Sequence, residues 1–142
     1  MIWFRLPALV TAACLVVLTS CKPAPTPIDP EHVAAKINQS LPKAYADGLQ
    51  MQHAHADGKR LVIDIRIPFA TVAKLDPAKL PIIRNQEQGD LNIAGCNDPD
   101  YKALIDANYQ VARRFIDRDG KPVFELTAMK APNCKQFGAS TK

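Results

Sequence analysis

The sequence predicts an α+β fold: a two-layer domain in which an antiparallel sheet of two hairpins carries helices on one face. Three observations predict it. Asp57-Gly58 is a two-residue turn signal set between alternating apolar and polar residues. Asp117-Arg118-Asp119-Gly120 separates two further strand-like runs, and Asp29-Pro30 and Asp98-Pro99 are paired helix-start signals. Helix, hairpin, one or two helices, hairpin is an order that two packed layers satisfy.

Taken in order, Asp29 can cap the first helix, Pro30 suits its first position, and Glu31 complements the positive end of the helix dipole. Val33, Ala34, Ile37 and Leu41 fall on one helical face and Pro42 closes the segment, while His32, Lys36 and Gln39 lie elsewhere. Residues 49–67 read as a hairpin. Leu61, Ile63, Ile65 and Ile67 alternate with Val62, Asp64 and Arg66, and Leu49 and Met51 begin the same pattern on the first strand. Residues 68–76 are expected to form a loop or a short helical turn. Asp76-Pro77 can start a helix running towards Gly89, provided Pro81 sits in its first turn. Asp98-Pro99 opens the next helix, with Tyr101, Leu104 and Ile105 as its apolar stripe. Residues 109–116 and 123–129 make the second hairpin.

The ends of the chain carry a different message. One cation, Arg5, precedes an uncharged apolar run over residues 6–20. That run falls short of the roughly twenty residues a membrane-spanning helix needs and has the layout of an export signal. It ends Leu18-Thr19-Ser20-Cys21, which resembles a bacterial lipobox. The resemblance implies cleavage before Cys21 and acylation of that cysteine, with residues 1–20 as the signal peptide. Several acyl chains anchor stably, since each buried CH₂ contributes about 0.8 kcal/mol. Lys22 stands where an aspartate marks inner-membrane retention in lipoproteins, so the resemblance implies an outer-membrane location facing the periplasm. Pro23, Pro25, Pro27 and Pro30 make residues 21–30 an extended tether of about 25 Å. Residues 31–142 are left as one periplasmic α+β domain.

Of the four cysteines, Cys14 leaves with the signal peptide and Cys21 takes the lipid. Cys96 and Cys134 remain, a single pair in a small exported domain, and are expected to form a disulfide. Free thiols suit the periplasm poorly, and a metal site would want more Cys or His partners.

Candidate chemistry is sparse. A net charge of +4 with scattered cations, and only 6% aromatic residues, argue against nucleic-acid binding. His53-Ala54-His55 places two imidazoles on one strand face, but a third ligand is lacking because His32 is distant in sequence, so no metal is expected. The turn at Asp117 lacks the closing glutamate of a calcium loop. Asp98 and Asp100 are accounted for by the helix start they occupy. Arg113 and Arg114 point to opposite faces, and a solvated sheet edge is the expected setting. No nucleophile motif and no phosphate-cradling loop occurs, so neither an enzyme nor a cofactor is expected.

A resemblance suggests a binding role. Ile37-Asn38-Gln39-Ser40-Leu41-Pro42 at a helix end, Cys96-Asn97-Asp98-Pro99 opening the last helix, Tyr109 leading into a strand pair that turns at Gly120, and the closing Cys134 together resemble the β-type pilotins of type II secretion. The resemblance covers residues 37–134, with no match over residues 68–89 and no glycine at Asp106-Ala107-Asn108. It implies a disulfide-held α/β domain that binds the C-terminal segment of a secretin and assists its outer-membrane targeting and assembly. The alternative is a periplasm-facing inhibitor or immunity lipoprotein that blocks a toxin or cell-wall hydrolase. An exposed apolar groove would mark the first. A loop projecting charged or aromatic residues would mark the second, and residues 68–89 are the stretch long enough to supply one.

Overall fold

The computed structural model describes residues 27–128 and Cys134. The expected signal peptide, Cys21 and most of the proline tether lie outside the described residues. The elements are α1 (Pro30–Asn38), β1 (Lys43–Ala44), β2 (Gln50–Asp57), β3 (Arg60–Arg66), α2 (Leu80–Asn97), α3 (Pro99–Asp106), β4 (Gln110–Ile116) and β5 (Pro122–Thr127). They form one five-stranded sheet in the order β1-β2-β3-β4-β5.

Both hairpins form at the expected turns. The two hairpins meet through β3 and β4, which pair in parallel from Arg60↔Gln110 to Arg66↔Ile116. Parallel pairing requires a long crossover, and α2 with α3 supplies it. The sheet is therefore mixed rather than wholly antiparallel. β4 is an interior strand, which corrects the expectation of a solvated edge at Arg113 and Arg114.

All three helices lie against one face. Leu61, Ile63 and Ile65 of β3 stand beside Val111, Arg113 and Phe115 of β4, and this face receives Val33 and Ala34 of α1, Leu91 of α2, and Tyr101 and Leu104 of α3. The other face is mixed: Val62 and Ala112 are buried there, and Asp64 pairs in register with Arg114, whose guanidinium donates to both carboxylate oxygens at 2.8 and 3.0 Å. His53 and His55 stack on the same side of β2 with ring centroids 5.8 Å apart.

The helix ends follow from capping chemistry. Asp29 Oδ1 accepts from His32 N, and Asp98 Oδ1 from Asp100 N and Tyr101 N. α3 ends without glycine because Asn108 takes the left-handed turn instead, at φ 63°. α2 departs furthest from expectation. Asp76 closes only a turn, accepting from Ala78 N and Lys79 N, and the helix begins at Leu80 with Pro81 in its first turn. It then continues through Gly89 to Asn97, a glycine costing only about 1 kcal/mol that burial of Leu91 offsets.

Candidate functional site

α2 is buried most deeply along its C-terminal half. In its C-terminal half Leu91, Asn92, Gly95 and Cys96 are buried, and a side chain at Gly95 would come within 3.0 Å of Ile105 Cδ1. The Cys96–Cys134 disulfide, with Cα atoms 5.5 Å apart, ties the chain after β5 to this same end. Every residue from 81 to 86, by contrast, is exposed. A cleft of about 130 Å³ adjoins this N-terminal stretch, lined by Leu80, Ile83, Gln86 and Glu87 of α2 among others.

The cleft is apolar. Leu49, Ile67, Phe115 and Phe124 form its floor, with the two phenylalanine rings stacked at 4.4 Å. Leu80 and Ile83 of α2 wall one side, and Phe69 and Leu75 of the β3–α2 connection wall the other. Phe69 is 64% exposed and Ile83 38% exposed, so the apolar surface continues from the cleft onto the rim. A second depression, of about 250 Å³, shares Leu80 and Phe124 with the cleft and is lined further by Pro77, Pro81, Arg84 and Val123.

Three polar side chains line the cleft: Asp47, Gln86 and Glu87. Glu87 is already engaged. Tyr45 donates its hydroxyl proton to Glu87 Oε2 at 2.8 Å, Arg113 Nη1 donates to the Tyr45 oxygen at 2.7 Å, and Nη1 lies 3.5 Å from Glu87. The guanidinium also lies 5.4 Å from the centre of the Tyr45 ring. Burial pushes the Tyr45 hydroxyl well above the usual phenol range. Tyr101 is raised to about 12, chiefly by burial and against the opposing influence of Arg113. Both phenols therefore stay protonated. Removing one member of a buried ion pair costs about 3–5 kcal/mol, so this triad is a fixed part of the floor rather than a group free to bind. Asp47 differs: it is exposed and has no hydrogen-bond or ion-pair partner among the described residues. Its backbone is left-handed, φ 55°, beside Gly48 at φ 78°.

The connection carrying Phe69 is pinned down. Asp117 Oδ2 accepts from Val72 N at 2.9 Å, and Ala70 O accepts from Arg118 N at 2.9 Å. Arg66 donates to Arg118 O as well.

The sequence-predicted residues fall elsewhere. Cys96 and Cys134 are bonded as expected and fix the packed end of α2; Cys21 lies outside the described residues. His53 and His55 share the mixed sheet face, away from the cleft, and among the described residues no group of three or more His, Cys, Asp or Glu could hold a metal ion. The cleft itself was not foreseen, since it joins residues 68–89, where no motif was legible, to residues of β4, β5 and the ends of β2 and β3. Its one sequence signal is apolar residues outside any stripe: Phe69, and the doublet Ile82-Ile83 among polar neighbours. Among the described residues no helix is long and apolar enough to cross a membrane.

No family model and no curated protein matches the sequence. Solved structures do match. The pilotin EpsS of the Vibrio vulnificus type 2 secretion system superimposes with a TM-score of 0.54 at 13% identity, over 73% of this chain and 90% of that one. A secreted-protein candidate from Pseudomonas aeruginosa gives a TM-score of 0.54 at 18% identity, over 68% and 81%. At these identities the likeness is one of fold alone.

Proposed function

We propose that this chain is a lipid-anchored pilotin-like protein that binds the C-terminal segment of a secretin and brings it to the outer membrane. The apolar cleft beside the N-terminal stretch of α2 carries the reading, because it is the exposed groove such a binding role needs, on a fold shared with EpsS. The role is binding rather than catalysis. An acylated Cys21 supplies location, the proline-rich segment supplies reach, and the cleft supplies contact with the partner. The inhibitor alternative calls for a projecting loop. In residues 68–89, which would have to provide it, Ala70 and Val72 are instead fastened to the β4–β5 turn by Arg118 and Asp117, and α2 takes up the chain from Leu80.

The test is an in-envelope photocrosslink from position 69, followed by affinity capture and mass spectrometry of the adduct. A secretin subunit is expected, and the adduct should vanish when that subunit's C-terminal segment is deleted. A toxin or wall hydrolase in its place would overturn the reading.

A further inference from the structure

Two features of the cleft restrict what can occupy it: its size and the sign of its unpaired charge. A volume of about 130 Å³ is slightly below the roughly 150 Å³ of a cavity that holds one benzene ring. It therefore has room for one large apolar side chain and not for the whole stripe of a helix. The floor and both walls are apolar, so that side chain gains burial without leaving a polar group unpaired. Among the described residues no cation lines the cleft. Lys74 and Lys79 are neighbours of Leu75 and Leu80 in sequence, but neither contributes to the lining. Of the two carboxylates, Glu87 is balanced by Arg113, whereas Asp47 is balanced by nothing among the described residues. Asp47 belongs to the cleft lining, its backbone and that of Gly48 are left-handed, and Phe69 lies against Gly48, 3.9 Å from where a Cβ would stand.

We infer that the cleft recognises a short partner segment consisting of one bulky apolar anchor followed or preceded, within about one turn, by a lysine or arginine that meets Asp47. This rests on the cleft being the partner site, and it specifies the chemistry of the segment rather than its source. The apolar anchor supplies most of the affinity. The cation supplies orientation and selects against acidic segments, which would face Asp47 with like charge.

The test is selection of displayed random twelve-residue peptides on the full-length protein in detergent micelles, followed by measurement of Kd for the enriched peptides. Peptides with one large apolar residue and a nearby Lys or Arg should dominate. Asp47→Asn tolerates the left-handed backbone and removes only the charge. It should weaken these peptides about three- to fivefold, and replacement of their basic residue by glutamine should weaken wild type but not the variant. Phe69→Ser, a surface change, should weaken all of them. Enrichment without a basic residue, enrichment of nothing, or indifference to Asp47→Asn would each overturn the inference. Secretin capture from position 69 is read separately, so a secretin can be confirmed as partner while the anchor-plus-cation rule fails.

Discussion

Asp117 has no exposed surface, yet it is ionised, because its carboxylate serves backbone donors on two segments. Oδ2 accepts from Val72 N and Oδ1 from Asp119 N and Lys121 N, so one side chain both forms the β4–β5 turn and holds the wall of the cleft. The Val72 amide, foremost among these donors, holds its pKa below the ordinary value of 3.8, against the opposing effect of burial. A carboxyl whose pKa falls on folding stabilises the native state at pH above its unfolded value. That contribution is lost as pH drops through the folded value. Asp117→Asn replaces one acceptor with an amide that cannot serve Val72 N. The variant should be less stable than wild type at pH 7, and the gap should close progressively below about pH 4. Urea midpoints across pH 7 to 2 measure this, and a gap independent of pH would contradict it. The same residue shows what sequence can and cannot say. Asp117-Arg118-Asp119-Gly120 is legible as a turn, but the bond to Val72 joins residues 45 positions apart and has no local signature.

At the scale of elements, the outer edge of β2 is a hazard that α1 manages. β1 is only two residues long and covers Gln50 and Met51, leaving the rest of β2 without a strand partner on that side. Asn38, the last residue of α1, fills the gap: its Nδ2 donates to Ala54 O at 2.7 Å and its Oδ1 accepts from Ala54 N at 2.8 Å. The side-chain amide thus copies the two bonds a neighbouring strand would make, which satisfies the backbone and blocks edge-to-edge pairing. Gln88 does the like on β5, donating to Thr127 O at 3.0 Å. Asn38→Ala should destabilise the domain by about 1–3 kcal/mol through two unpaired backbone groups. Hydrogen exchange at the Ala54 amide should accelerate in step, and unchanged exchange would show that the edge needs no cap. Periodicity and capping residues locate α1, α3 and four strands well, because those signals are local. The parallel β3–β4 seam, the extent of α2 and the burial of Arg113 escape a reading of the sequence because each depends on which strand lies next to which. The apolar cleft escapes for the same reason, being a space between elements rather than a motif within one.

For the whole molecule, the four cysteines separate two properties that a single variant would confuse, where the protein sits and how firmly it is folded. The Cys96–Cys134 bridge closes a loop of 38 positions, which on a chain-entropy account stabilises the fold by about 4 kcal/mol. A domain of this size has a net stability of about 5–15 kcal/mol, so the bridge is a large share of it. It also ties down the C-terminal end of α2, the helix whose N-terminal stretch lines the cleft. Cys21 is proposed to carry the anchor and so to contribute location. The expected outcomes therefore run opposite ways. Cys21→Ala should release the protein from outer-membrane fractions while leaving its thermal midpoint unchanged. The double variant Cys96→Ser/Cys134→Ser should remain membrane-bound while losing about 4 kcal/mol, read as a lower denaturant midpoint. Retention of Cys21→Ala in the membrane would mean that something other than an acyl chain holds the protein there, and the proposed delivery of a partner by lipoprotein sorting would fall with it.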